Sequence, residues 1–146
     1  MFRQISLAVI PLALAGCMTP PADLDLSLTR PTVQKKYVVA IAPLADPIVI
    51  DKMHSWEVKV SSPAGEPLDH ARIVVGGGMP QHGHGLPTQP RITRELGNGR
   101  YLMEGMKFSM PGWWEIKLDV QSVNGADKVT FNKVVSVATQ TVARTN

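Results

Sequence analysis

The sequence predicts an all-β fold, an immunoglobulin-like antiparallel β-sandwich of seven to eight strands. Apolar and polar residues alternate in several short runs, and glycine-, proline- and asparagine-containing turns separate these runs at intervals of roughly eight to twelve residues. No stretch after the N-terminal segment shows sustained apolar spacing of three and four residues, so no helix is predicted there. Short strands without helices bury their apolar faces by packing as two sheets.

The N-terminus has the features of a secretory signal. Arg3 precedes a short apolar run at residues 5–15, which is too short to span a bilayer, and Leu-Ala-Gly leads into Cys17. The sequence L-A-G-C resembles the lipobox of bacterial lipoproteins, which implies cleavage before Cys17 and acylation of that residue. An ordinary signal peptide that contains a cysteine is the alternative. The predicted organisation is a lipoprotein signal peptide (1–16), an extended proline-containing tether (17–32), the sandwich domain (33–140) and a frayed tail (141–146).

Charge and cysteine content exclude several functions. The chain of 146 residues has 15 basic and 12 acidic residues, and its longest basic run is Lys35-Lys36. We therefore expect no nucleic-acid partner. Cys17 is the single cysteine, so a processed and acylated domain has no thiolate for catalysis, metal binding or a disulfide.

The strands can be placed from alternation and turn residues. Residues 54–61 alternate most regularly, with His54, Trp56, Val58 and Val60 predicted to point into the core. The glycine triplet 76–78 is predicted to end a strand and begin a loop. The predicted strands are residues 37–42, 48–50, 54–61, 71–75, 91–96, 100–108, 114–120 and 128–137.

The sharpest candidate for chemistry is His82-Gly83-His84. In an extended segment, residues i and i+2 project to the same side, so two imidazoles could converge on one ion. Imidazole suits copper, zinc and nickel, whereas thioether sulfur selects copper(I). Further candidate ligands are one preceding methionine, three methionines of the following hairpin and a strand histidine: Met79, Met103, Met106, Met110 and His54.

Other interpretations of these residues stay open. The loop histidines could be solvated, the methionines could fill the core, and His54 could be a hydrogen-bonded inward histidine. A metal-free protein-interaction module is the alternative function, with Trp113, Pro80 and Leu86 in the docking surface. No nucleophile–base pair or cofactor loop is evident, so we expect no enzyme.

Four motifs in order resemble the YtkA-like domain, which is related to FixH-like proteins. They are A-x-I-x-V-x-G-G-M-P-x-H-x-H-G from Ala71, P-x-I-T from Pro90, L-G-x-G-x-Y from Leu96 and F-x-M-P-G-x-W-x-I from Phe108. The likeness covers roughly residues 35–138. It implies an immunoglobulin-like sandwich of bacterial periplasmic or membrane-anchored proteins, some of which occur in contexts of copper handling or cytochrome oxidase assembly. A FixH-type protein would have an N-terminal transmembrane helix where this chain has a lipobox.

The expected function is a non-enzymatic, lipid-anchored envelope protein that binds a copper ion for delivery or buffering. Its expected partners are the membrane, through Cys17, and a copper-handling or other envelope protein. Met18 stands where an aspartate would mark inner-membrane retention. By resemblance to lipoprotein sorting, this favours the outer membrane, facing the periplasm.

Overall fold

The computed structural model describes residues 19–137. The predicted signal peptide, Cys17 and the predicted tail lie outside the described residues. Within residues 19–137 the chain forms no helix and nine strands, and no helix there is long and apolar enough to cross a membrane. The strands are β1 (Thr29–Pro31), β2 (Val38–Pro43), β3 (Met53–Ser61), β4 (Arg72–Met79), β5 (His84–Gly85), β6 (Arg91–Gly97), β7 (Arg100–Lys107), β8 (Gly112–Ser122) and β9 (Gly125–Val135).

The strands form two antiparallel sheets that pack face to face. One sheet has the order β1-β2-β3-β7-β6 and the other has the order β5-β4-β8-β9. The inward rows of both sheets build one core, in which Trp56, Phe108, Trp114 and Phe131 are fully buried. The predicted all-β sandwich is confirmed, as is the alternation of β3, where Trp56, Val58 and Val60 are fully buried.

Antiparallel pairing brings the candidate residues to one end of the sandwich. There β2, β4, β7 and β9 finish, while β3, β6 and β8 begin. We call this the histidine end, and it comprises residues 44–52, 80–83 and 108–111 with the strand residues next to them. The turns at 62–71, 98 and 123–124 lie at the opposite end.

The glycine triplet does not end its strand, contrary to the prediction. β4 continues through Gly76, Gly77 and Gly78 to Met79, and Gly78 pairs with both Glu115 of β8 and Gly85 of β5. A Cβ on Gly77 would lie 2.1 Å from the Glu115 carbonyl oxygen, and one on Gly78 would lie 2.3 Å from the His84 carbonyl oxygen. The glycines therefore permit a close strand approach that a side chain would prevent.

The segment before β1 is docked on the sandwich. We call residues 19–28 the strap. The Thr19 carbonyl accepts a hydrogen bond from Gln81 Nε2 (2.9 Å), and the Asp25 carbonyl accepts one from Asn132 Nδ2 (2.9 Å). The region predicted as an extended tether thus contacts both edges of the β5-β4-β8-β9 sheet, and its last residues, 29–31, form β1.

Buried Asp127 holds the turn that follows β1. Its carboxylate accepts hydrogen bonds from the backbone N–H groups of Gln34 (3.0 Å), Lys36 (3.3 Å) and Lys128 (2.8 Å). Burial raises the pKa of Asp127, but hydrogen bonds from the Thr32 hydroxyl and these N–H groups outweigh it and lower the pKa to about 2.

The depressed pKa predicts a loss of stability in acid. The contribution of ionised Asp127 is fully present above its ordinary pKa of 3.8 and is lost as pH falls through the folded-state pKa of about 2. In thermal melts between neutral pH and pH 2, Asp127→Asn should lower the melting temperature at neutral pH and flatten its decline below pH 4. The control is Asp23→Asn, an exposed strap carboxylate; a decline as steep in Asp127→Asn as in the native protein would contradict the assignment.

The close strand approach predicts a strong position dependence within the glycine triplet. Gly78→Ala places a methyl group against the His84 carbonyl oxygen at a φ of 159°, so it should lower the free energy of unfolding by about 1–3 kcal/mol. Gly76→Ala is the matched control, because its Cβ meets nothing within 4 Å, and it should cost no stability. Equal chemical-denaturation midpoints for the two variants would refute this account.

Candidate functional site

The two candidate histidines lie on a closed β-hairpin. β4 pairs with β5 through Met79 and His84, and the backbone N–H groups of His82 (3.1 Å) and Gly83 (3.0 Å) both donate to the Met79 carbonyl. Gly83 has a φ of 66°, in the left-handed region that favours glycine. The loop is therefore a hydrogen-bonded turn, and its shape comes from the backbone rather than from an extended His-Gly-His segment.

This turn brings the two imidazoles together. The ring centroids of His82 and His84 are 5.8 Å apart, with the ring planes tilted by 38°, and both side chains are exposed. Because a metal–imidazole bond is about 2.0–2.1 Å long, the centroids of two rings on one ion can be roughly 6 Å apart. The observed separation is within that limit.

The His84 ring is held from two sides. It meets the Trp114 ring edge to face at a centroid distance of 5.8 Å and an interplanar angle of 67°. Its Nδ1 lies 3.0 Å from the Gly85 carbonyl oxygen. A carbonyl can only accept, so Nδ1 carries the proton and donates it. In the neutral ring, Nε2 then has the lone pair that a metal ion requires.

Two of the four candidate methionines lie beside this hairpin. Met79 is opposite His84 in the strand register, is 1 % exposed and packs against Gly112. Met110 is half-buried against the core, and its carbonyl accepts a hydrogen bond from Trp114 Nε1 (3.1 Å). Met79 thus pairs with His84 itself, and Met110 binds Trp114, which contacts the His84 ring.

The other two methionines and His54 belong to the opposite sheet. Met103 and Met106 are fully buried on β7, where Met106 pairs with His54. His54 Nε2 donates to the Val49 carbonyl (2.8 Å), and its ring lies 6.2 Å from that of Phe108. The His54 ring contacts Phe108, Phe108 contacts Trp114, and Trp114 contacts His84. Two aromatic rings therefore separate the two histidines. The structure does not bring these three residues to the hairpin histidines.

The three residues assigned to partner binding are spread over the same end. Pro80 is exposed in the turn, and Leu86 packs partly buried against the core. Trp113 is half-buried on the outer face, where its Nε1 donates to Asn132 Oδ1 (3.0 Å). Since Asn132 also binds the strap, Trp113 helps to hold the strap in place.

A shallow groove of about 220 Å³ runs beside the hairpin on the outer face. His84, the Gly77 and Gly78 backbone and the ion pair between Glu115 and Lys117 (2.8 Å) line it. Within residues 19–137, no group of three His, Cys, Asp or Glu side chains is placed to hold a metal ion. The donors that the hairpin offers are two imidazoles, and the Met79 thioether of the same hairpin is buried in the core.

Sequence reasoning missed the roles of Trp114, Gln81 and Asn132. Trp114 alternates with Ile116 along β8, and both are fully buried, but the contact of Trp114 with His84 depends on the register of β5. That two-residue strand has no periodicity to reveal it. Gln81 and Asn132 bind backbone carbonyls of the strap, and such contacts leave no pattern in a single sequence.

Comparisons with known proteins place the chain in a family. A search of curated proteins found no match. The crystal structure of a DUF4426 family protein from Pseudomonas aeruginosa PAO1 is similar, with a TM-score of 0.53 and 14 % sequence identity over 73 % of this chain and 94 % of that one, which shows a shared fold. The YtkA-like family model matches residues 32–119, more than half of the chain and including the histidine hairpin. The chain therefore belongs to the YtkA-like family.

Proposed function

We propose that this protein is a lipid-anchored periplasmic β-sandwich that binds a copper ion at the His82–His84 hairpin for delivery or buffering. The observation that supports it best is the pairing of two exposed imidazoles, 5.8 Å apart, on a turn fixed by backbone hydrogen bonds. The proton on His84 Nδ1 is directed to the Gly85 carbonyl, which orients Nε2 as the ligand atom.

The donor chemistry favours copper over harder metals. Imidazole nitrogen with thioether sulfur is a donor set that selects copper(I), whereas calcium and magnesium prefer oxygen ligands. Met110 is the best-placed sulfur donor, because it is partly exposed and adjoins Trp114, which contacts His84. Met79 is the second candidate, and its buried side chain would have to turn toward the hairpin to bind.

The exposure of the ligands suits transfer better than catalysis. Both imidazoles face solvent at the tip of a hairpin, so a bound ion would be accessible to an acceptor. A catalytic site normally excludes water and places a base or nucleophile beside the reacting atom. The proposed role is therefore non-enzymatic. The lipobox-like L-A-G-C and Met18 support acylation at Cys17 and an outer-membrane location facing the periplasm.

Removal of both imidazoles should weaken copper binding. The double variant His82→Ala/His84→Phe keeps an aromatic ring against Trp114 while removing both ligand nitrogens. Titration of the full-length protein in detergent with copper(I) and copper(II) should show at least about tenfold weaker binding for this variant, which corresponds to a loss of about 1.4 kcal/mol. Quenching of tryptophan fluorescence by copper(II) should weaken with it.

The matched control is His70→Asn, which removes an exposed histidine from the opposite end and keeps a residue that tolerates its positive φ of 58°. This variant should bind copper as the native protein does. Unchanged affinity in the double variant would refute the proposed site, and a Met110→Leu variant with native copper(I) affinity would exclude its sulfur as a ligand.

A further inference from the structure

The strap starts at the histidine end of the sandwich. Thr19 is joined to the hairpin turn by the hydrogen bond from Gln81 Nε2 (2.9 Å), and Gln81 directly precedes His82. The described chain therefore begins beside the residues of the proposed copper site.

The strap is fixed again at Asp25, by two contacts. Asn132 of β9 binds the Asp25 carbonyl and also accepts the indole N–H of Trp113. Arg30 of β1 forms an ion pair with Asp25 (3.3 Å) and donates to the Thr130 carbonyl (2.6 Å). A segment held at Thr19 and at Asp25 is part of the folded domain, so it restrains how the domain can turn about its N-terminus.

The proposed lipid attachment lies very close to this starting point. Cys17 precedes Thr19 by two residues, and two extended residues span at most about 7 Å. Acyl chains on Cys17 would thus enter the bilayer close to the hairpin turn. The opposite end is remote, because the 11 residues of β8 alone extend about 36 Å.

A rim of exposed apolar side chains surrounds the same end. Leu44 is 58 % exposed and Val49 is 45 % exposed on the segment that joins β2 to β3, and Met53, the first residue of β3, is 63 % exposed. Val134 and Val137, at and beyond the end of β9, are also exposed. Burial of apolar side chains at the boundary between the lipid headgroups and the acyl chains favours membrane binding.

We propose that the strap holds the histidine end of the domain against the lipid surface, with Leu44, Val49 and Met53 in contact with the bilayer. This inference rests on the lipid anchor of the proposed function but not on copper binding. It identifies the surface partner of the domain as lipid and places His82 and His84 at membrane level. An ion bound there would be exchanged with an acceptor at or in the membrane.

Site-specific quenching on vesicles tests this orientation. The full-length acylated protein is reconstituted into phosphatidylcholine vesicles that contain a headgroup-nitroxide lipid, without added metal. Acylation blocks the thiol of Cys17, so one introduced cysteine carries the fluorophore. The variant V49C reports on the histidine end, and V123C reports on a turn at the opposite end, where Val123 is 83 % exposed against 45 % for Val49. Quenching should be several-fold stronger at V49C than at V123C.

The strap variant gives the second arm. Gln81→Ala with Asn132→Ala removes two of the strap's side-chain hydrogen bonds and should reduce the difference between the two labels. Asn124→Ala, at the opposite end, is the matched control and should preserve it. A difference that persists in the strap variant would overturn the role given to the strap.

The remaining outcomes separate this inference from the proposed function. Protein that floats with the vesicles but is quenched equally at both positions, or more at V123C, would overturn the orientation and leave the anchor intact. Protein that does not float with vesicles would refute the lipid anchor and, with it, this inference. Neither result depends on the copper titration of the His82 and His84 variants.

Discussion

The close approach of backbones at Gly77 and Gly78 is the constraint on which the candidate site depends. A Cβ at either position would overlap a carbonyl oxygen of a neighbouring strand. Because Gly77 and Gly78 have no side chains, β4 can pair with β8 on one side and with β5 on the other. That pairing sets His84 opposite Met79 and brings its ring onto Trp114. The position of the imidazole thus follows from two missing side chains in the adjacent strand.

The hairpin combines a rigid base with exposed candidate ligands. Trp114 and Met79 are buried in the core and fix the strand side of the turn, while His82 and His84 remain in solvent. The hydrogen bond from His84 Nδ1 to Gly85 selects the tautomer without adding a charged group. Such a turn orders its donors before a ligand arrives, which lowers the entropic cost of binding.

The sequence predicted the strands whose side chains alternate between core and solvent. It did not predict the segments whose structure depends on backbone contacts. Trp56, Val58 and Val60 in β3 were placed correctly because one buried face imposes a period of two residues. The triplet Gly76–Gly78 has no side chains to alternate, so its continuation as a strand could not be seen. The proximity of His82 to His84 was predicted from an extended backbone, yet it arises from a tight turn.

The strap connects the proposed lipid anchor with the proposed copper site through the single turn at residues 80–83. Gln81 lies between the strand residue Met79 and the candidate ligand His82, and its side chain binds the first described residue of the chain. Movement of the strap would therefore act on the same turn whose backbone hydrogen bonds set the spacing of the imidazoles. In the proposed function, the position of the lipid anchor and the geometry of the candidate ligands would be coupled over one residue, so a contact at the membrane surface would reach the imidazoles without crossing the core.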